Sequence, residues 1–159
     1  MTWALRRATT GDHDAIMAIE TATFAPDDWS SQMMSAELGN PHTHYLVAHD
    51  EAGAIVGYAG LLAPIGTGQG DIQTIAVAPE ARRHGLGRTL MLALLDEARR
   101  RGADEVFLEV RVDNPAAEAL YHELGFEVID TRKRYYRGGI DAHVMRLRVP
   151  EPRTTVAGA

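Results

Sequence analysis

Apolar residues recur at helical spacing more clearly in one segment than anywhere else in the chain. Between Gly85 and Arg101, the positions that repeat every three or four residues are Leu86, Leu90, Leu94, Leu95 and Ala98. Arginines at the end of this segment suit the negative end of a helix dipole, and the glycine that follows is a typical helix terminator. The pattern predicts an amphipathic helix that packs one face on a core.

Shorter apolar runs bounded by turn residues predict strands on both sides of this helix. The predicted strands span residues 3–8, 44–49, 54–63, 71–77, 105–112, 126–135 and 143–149. The acidic and glycine residues of Asp50–Gly53 predict an antiparallel hairpin, and Gly138-Gly139 predicts a second one near the end of the chain. Sheet formation is therefore expected through most of the sequence.

Three further helices are predicted from their boundary residues. One follows the turn Thr10-Gly11-Asp12, one runs from a cap at Ser30 to Leu38, and one begins at Pro115. Because strands and helices alternate through the middle of the chain, we expect an α/β protein. A chain of 159 residues allows one domain, expected over residues 1–149, and the aperiodic residues 150–159 are expected to form a disordered tail.

Composition and charge exclude several kinds of function. The chain has no cysteine, so disulfides, thiolate metal sites and a cysteine nucleophile are ruled out. A net charge of -6 argues against general nucleic-acid binding and fits a cationic partner better. No apolar run approaches the length of about 20 residues that spans a bilayer. Residues 1–7 lack the apolar stretch of a secretory signal, which predicts a cytoplasmic location.

The loop in front of the amphipathic helix has the features of an anion-binding site. Its sequence is Arg82-Arg83-His84-Gly85-Leu86-Gly87-Arg88. The two glycines let the backbone approach a ligand, and the free N–H groups of a helix start face any anion placed there. We interpret the loop as a pyrophosphate site. A helix start that binds nothing is the alternative interpretation, and the loop alone leaves it open.

Other binding and catalytic motifs do not fit. Gly87 is followed by Arg88 where a P-loop requires lysine, and Leu90 stands where the dinucleotide-binding fingerprint requires a third small residue. None of the three serines lies in a Gly-x-Ser-x-Gly turn. His42 and His44 have no third ligand at metal-binding spacing, so no metal site is predicted.

The order of motifs resembles that of the GCN5-related N-acetyltransferase (GNAT) superfamily. Arg82-x-x-Gly85-x-Gly87 resembles the acetyl-coenzyme A (acetyl-CoA) loop of that superfamily, and the strand Ile75–Val77 precedes it. The later segments Asn114–Ala117 and Leu120–Phe126 follow in the same order, so the resemblance covers residues 3–149. It implies a single-domain fold with a mixed, mostly antiparallel sheet of six to seven strands, about four helices and a split between the two central strands.

A narrower resemblance involves the segment Leu108–Arg111, Asn114, Tyr121 and the segment Arg132–Tyr136. These residues are similar to those of bacterial ribosomal-protein alanine N-acetyltransferases of the RimI type, although Phe24–Trp29 departs from the shorter form of better-known members. The resemblance implies direct acetyl transfer from acetyl-CoA to a protein N-terminus. The expected acceptor is the N-terminal alanine of the eighteenth small-subunit ribosomal protein, and the expected state is a monomer or weak dimer. A small-molecule amine, a lysine side chain and a non-catalytic acyl-CoA-binding module remain alternatives.

The same resemblance assigns residues to each part of the site. Glu109 is expected to accept the proton of the amine, and Tyr121 is expected to donate a hydrogen bond to the thioester sulfur. Residues expected to close the acceptor pocket are Trp29, Tyr135 and Tyr136. Residues expected to bind the cofactor are Ile75, Ala76, Val77, Arg83, His84, Gly85, Leu86, Gly87, Arg88 and Asn114. For Glu109, Tyr121 and the three acceptor-pocket residues, ordinary exposure or packing on a strand, helix or loop is the alternative interpretation.

Overall fold

A computed structural model describes residues 2–149 as one sheet flanked by helices. The strands are β1 (Ala4–Arg7), β2 (Thr43–His49), β3 (Ile55–Leu62), β4 (Gln69–Val77), β5 (Glu105–Arg111), β6 (Glu127–Tyr136) and β7 (Ile140–Arg148). The helices are α1 (His13–Phe24), α2 (Ser31–Leu38), α3 (Leu86–Arg100) and α4 (Pro115–Glu123). The predicted α/β architecture is confirmed, while the tail predicted for residues 150–159 lies outside the described residues.

Several predicted boundary residues act as expected. The Ser30 side chain accepts a hydrogen bond from the backbone N–H of Met33, which caps α2. Gly102 follows α3 with φ +80°, the left-handed conformation that favours glycine. The last strand begins at Ile140, three residues before its predicted start. Gly138 and Gly139 both have positive φ values and turn the chain so tightly that Ile140 already pairs with Tyr136.

The two faces of the sheet carry separate clusters of buried residues. On one face, α3 contributes the apolar side chains of Leu86, Leu90, Met91, Leu94, Leu95 and Ala98. On the other face, α1 and α2 contribute Ile16, Ile19 and Met34. Both faces of β2 and β3 are therefore covered, and polar side chains buried there need hydrogen-bond partners within the protein.

The sheet is split between its two central strands, as the family resemblance implied. Within the described residues the strand order is β1-β2-β3-β4-β5-β7-β6, and β4 with β5 is the parallel pair among antiparallel neighbours. These two strands pair only where Gln69–Asp71 meets Glu105–Phe107. Beyond that point β4 stays with β3, while β5 stays with β7. The gap leaves one edge of β4 without a strand partner from Ile72 onward.

Candidate active site

The split opens into a groove of about 1540 Å³ that brings most of the predicted site residues together. Those that line it are Trp29, Ile75, Ala76, Val77, Glu109, Asn114, Tyr121, Tyr135 and Tyr136. Residues 83–88 do not line the groove. They follow Arg82, which does line it and whose Nε donates a hydrogen bond to the Val77 carbonyl at 2.9 Å. The predicted anion loop therefore continues from one end of the groove.

The loop presents a series of unused backbone donors. Arg83 and Gly85 have φ values of 67° and 80°, and Gly85 is the residue before the first turn of α3. The N–H groups of residues 83–88 donate to no acceptor within residues 2–149. A Cβ added at Gly85 would meet nothing within 4 Å. Free N–H groups at a helix start, with basic side chains beside them, fit a diphosphate.

The unpaired edge of β4 fits a second part of the same ligand. From Ile72 to Val77 this edge faces the gap instead of β5. An extended chain that carries amide groups can bind such an edge by backbone hydrogen bonds, as an added strand does. The edge leads directly to Arg82 and the anion loop. The arrangement thus fits a ligand that combines an amide-containing arm with a diphosphate, as coenzyme A does.

Tyr121 is held in the groove wall by α4. Asn114 caps this helix, because its side-chain oxygen accepts a hydrogen bond from the Ala117 N–H at 3.2 Å. Tyr121 is 8% exposed, and its ring packs edge-on against Phe126. Burial raises the pKa of Tyr121 to about 12. The phenol is therefore protonated at neutral pH, and it forms no hydrogen bond with another described residue.

Glu109 faces the groove because side chains alternate along β5. Its neighbours Leu108 and Val110 are buried against the α3 side of the sheet, so Glu109 points to the opposite side. Its carboxylate lies 3.4 Å from Arg132 Nε, and its side chain is 27% exposed. A hydrogen bond to Glu109 is the main cause that raises the pKa of Tyr135. Glu109 is therefore a polar group of the groove that water can reach.

Asp27 joins two loops at one end of the groove, beside Tyr136. One of its carboxylate oxygens accepts a hydrogen bond from Arg111 Nη1 at 3.1 Å, and the other accepts one from the Arg137 N–H at 3.1 Å. Arg111 also binds Asp113, and its guanidinium lies 5.3 Å from the centre of the Tyr136 ring. We call these contacts the Asp27 bridge. It connects the loop between α1 and α2 to the turn between β6 and β7.

The sequence did not single out several residues that line this groove. The partners of Asp27 lie 84 and 110 positions away, so no local pattern marks them. Asp71 is half-buried, and burial is the main cause that raises its pKa, with the charge of Glu109 a smaller one. Glu20 is almost fully buried in α1. The sequence feature that could have pointed to Asp27 was the pair of acidic residues, Asp27 and Asp28, directly before Trp29.

Known proteins are similar to this chain in sequence and in fold. Residues 13–126 match the acetyltransferase (GNAT) family. The chain belongs to this family. The unpaired edge of β4, the anion loop and the groove at the split are thus features of a GNAT acetyltransferase, and the predicted GNAT fold is confirmed.

Within the GNAT family, the chain is similar to acetyltransferases of known name. N-alpha-acetyltransferase RimI of Mycobacterium tuberculosis is 40% identical over 148 residues, which cover 91% of each chain. The crystal structure of the ribosomal-protein-S18-alanine N-acetyltransferase from Escherichia coli matches with a TM-score of 0.85 at 29% identity, over 98% of this chain and 99% of that one. The protein yncA from Salmonella typhimurium, solved with its cofactor acetyl-CoA, matches with a TM-score of 0.78 at 26% identity over 99% of each chain.

These findings confirm the predicted enzyme class, an acetyl-CoA-dependent N-acetyltransferase. They also confirm the predicted resemblance to the RimI type. Among residues 2–149, no three histidine or carboxylate side chains are grouped so that they could hold a metal ion. No helix in the same part of the chain has the length and apolar character needed to cross a membrane.

Proposed function

We propose that this enzyme transfers an acetyl group from acetyl-CoA to the N-terminal α-amine of a protein, with the N-terminal alanine of ribosomal protein S18 as its acceptor. One observation carries the proposal: the side chains of Glu109 and Tyr121 open into the same groove, at the place where β4 and β5 separate. The names of the relatives from Mycobacterium tuberculosis and Escherichia coli support the choice of acceptor.

Three parts of the chain would hold acetyl-CoA, which supplies the acetyl thioester when bound. The N–H groups of residues 83–88 would bind the diphosphate, with Arg83 and Arg88 adding positive charge and the His84 ring offering a further hydrogen-bond donor. The backbone of Ile75 and Val77 would bind the pantetheine arm. Asn114 lines the groove as well as capping α4, and it would contact the cofactor near the thioester.

Glu109 would take the proton that the amine loses. An N-terminal amine has a pKa near 8, whereas a lysine amine has one of about 10.4, so a modest base suffices for the former at neutral pH. The amine nitrogen forms a bond to the acetyl carbon as the carbon–sulfur bond breaks, and the amine proton passes to Glu109 directly or through water. The exposure of Glu109 to the groove supports both routes.

Tyr121 would donate a hydrogen bond to the departing sulfur and give it a proton. A phenol with a pKa of about 12 is a weak acid, so its contribution comes from position more than from acidity. Two features support the assignment: its hydroxyl has no partner among the described residues, and the ring is fixed by Phe126. A buried donor that faces the groove has its hydrogen bond available for a ligand.

The acceptor end supports an extended chain terminus as the substrate. Trp29, Tyr135 and Tyr136 would line this end, and the Asp27 bridge ties the loop that carries Trp29 to the turn that follows Tyr136. A groove wall that is fixed in this way suits a substrate whose backbone lies along it. The net charge of -6 also suits a basic acceptor protein. A monomer or weak dimer in the cytoplasm stays our prediction for the enzyme.

Competition between two peptides tests the acceptor assignment. The enzyme and acetyl-CoA are incubated with a short peptide that begins with alanine and with a lysine-containing peptide whose N-terminus is blocked. We expect mass spectrometry to find acetyl groups on the free α-amine, with Glu109→Gln as the control for enzymatic transfer. Acetylation confined to the blocked peptide would contradict the α-amine assignment. Preferential acetylation of an added small amine would favour a small-molecule acceptor.

A further inference from the structure

Glu20 is a buried carboxylate that no catalytic step above uses. It lies in α1 and is 1% exposed. One carboxylate oxygen accepts hydrogen bonds from the Tyr58 hydroxyl and, at 2.9 Å, from the Thr74 hydroxyl. The other oxygen accepts one from the Trp29 backbone N–H at 3.2 Å. A carboxylate is costly to bury, so these three donors compensate for the water it has lost.

The three donors belong to parts of the molecule that meet at the active site. Tyr58 lies on β3, and Thr74 lies on β4 directly before Ile75, whose backbone would bind the pantetheine arm. Trp29 belongs to the acceptor loop, which we define as residues 25–30 between α1 and α2. Glu20 therefore connects the acceptor loop to the strand that would hold the cofactor.

The contacts of Glu20 suit a fixed connection. Burial, and then the charge of Glu20, raise the pKa of Tyr58, so its phenol remains a donor throughout the physiological pH range. Thr74 and Tyr58 are also within 3.2 Å of each other through their hydroxyl groups. The sheet side of the network is thus held by two strands, while the Trp29 N–H is the contact on the loop side.

We propose that Glu20 is a positioning residue that holds the acceptor loop at a set distance from β4, so that the acceptor nitrogen reaches the thioester. The proposal rests on the function proposed above, because it takes Trp29 as part of the acceptor wall. Acyl transfer needs the two reacting atoms close and aligned, and a displacement of about 1 Å can cost up to roughly a hundredfold in rate. Release of the loop from Glu20 would permit such a displacement.

Replacement of Glu20 by methionine tests the role, since Glu20→Met keeps most of the volume but removes all hydrogen-bond acceptance. We expect kcat/KM for an alanyl peptide to fall roughly tenfold, through a lower kcat together with a higher KM, because the acceptor nitrogen is no longer aligned with the thioester. Binding of coenzyme A, measured by calorimetry, should stay within about twofold of the parent. Glu20→Gln should restore kcat/KM to within about threefold, because its amide oxygen can still accept from Trp29.

Tyr58→Phe is the matched control, because it alters the same buried network without touching the loop. We expect it to lower the melting temperature while kcat/KM for the acceptor stays close to the parental value. Equal losses of kcat/KM in Glu20→Met and Tyr58→Phe would overturn the proposal, since they would indicate general loosening of the core. Failure of Glu20→Gln to restore kcat/KM would overturn it as well.

Hydrogen exchange in the unaltered protein provides a measurement that requires no variant. The Trp29 amide should exchange much more slowly than the exposed amides of its loop, because Glu20 accepts its hydrogen. Exchange as fast as that of an open loop would overturn the proposal, even if Glu20→Met did not fold. If the parent enzyme did not acetylate α-amines, the proposed function would be contradicted instead. The exchange rate of the Trp29 amide would still report on its hydrogen bond to Glu20.

Discussion

At the scale of single residues, Tyr121 and Glu109 meet the groove in different ways. Tyr121 is almost fully buried, and its pKa is raised to about 12 by that burial. Glu109 is more exposed and has Arg132 and Tyr135 as neighbours. A donor that acts by position benefits from a fixed ring, whereas a proton acceptor benefits from access to water. The two environments therefore match the two roles that we propose.

Loss of the hydroxyl group in Tyr121→Phe should lower kcat about a hundredfold, which is the lower end of the range of rate losses for removal of a positioned proton donor. Binding of coenzyme A should be close to the parental value, because the ring and its packing against Phe126 are kept. Steady-state kinetics with saturating acetyl-CoA measure the effect. Tyr45→Phe, which removes a phenol that bonds Gln73, is the control. A parental kcat for Tyr121→Phe would refute its role.

The carboxylate of Glu109 should make the reaction rate depend on pH. In Glu109→Gln we expect a lower kcat/KM and loss of the part of the pH–rate profile that reports ionisation of the base. Asp130→Asn provides a control, since Asp130 also lines the groove and bonds only the neighbouring Thr131 N–H among the described residues. An unchanged profile in Glu109→Gln would show that another group accepts the proton.

Residues in local motifs were predictable, and residues joined over long distances were not. Glu109 and Tyr121 lie in short segments whose spacing resembles that of the family, so the sequence could predict that they share one site, and both line the groove. Glu20 depends on Tyr58 and Thr74, which are 38 and 54 positions away. Asp27 bonds Arg137, 110 positions away. Such pairs are created by the sheet and carry no mark in the nearby sequence.

At the scale of elements, hydrophobic spacing predicted α3 and most strands correctly. The five positions that the spacing predicted for the buried face of α3 are all buried, because a helix with a continuous apolar stripe has one way to bury it. The acceptor loop was harder to predict. Its shape depends on contacts with β5 and with the β6–β7 turn through Asp27, and periodicity contains no information about either contact.

The Asp27 bridge should control how tightly the acceptor binds. We expect Asp27→Ala to raise the acceptor KM roughly tenfold, because a bond to a charged group is lost. Asp28→Ala is the matched control, since Asp28 accepts a bond from Thr21 at the end of the preceding helix instead. In a double-mutant cycle, Arg111→Met should add little to Asp27→Ala. Fully additive effects would contradict a shared contact.

The connection between β1 and the start of α1 should make stability depend on pH. Hydrogen bonds from Arg6 are the main cause that lowers the pKa of Asp12 to about 2. Because the folded-state pKa is below the ordinary value of 3.8, this contribution is present at higher pH and is lost as the pH falls from about 4 toward 2. Asp12→Asn should therefore lower the melting temperature at pH 7.

Thermal unfolding followed by circular dichroism at several pH values measures this effect. The difference in melting temperature between the parent and Asp12→Asn should shrink as the pH is lowered from about 4. Asp14→Asn is a suitable control, because Asp14 is exposed and bonds only the adjacent His13 among the described residues. A difference that stays constant down to the lowest measurable pH would contradict the role of the ionised Asp12.

At the scale of the whole molecule, the split in the sheet determines where the groove lies. Alternation of apolar residues predicted strands, but it did not indicate the order of the strands in the sheet or the point at which β4 and β5 separate. The order of the family motifs implied the split, and the pairing of Gln69–Asp71 with Glu105–Phe107 confirms it. The groove exists because these strands pair at one end and keep other partners beyond it.

Titration of coenzyme A into the folded protein, followed by calorimetry, tests most directly the claim that the split and the adjoining loop form a cofactor site. We predict saturable binding of one molecule per chain. Binding should weaken strongly in Gly85→Val, because a β-branched residue strains a backbone with φ +80°. No detectable binding by well-folded parent protein, or equal binding by parent and Gly85→Val, would contradict the account.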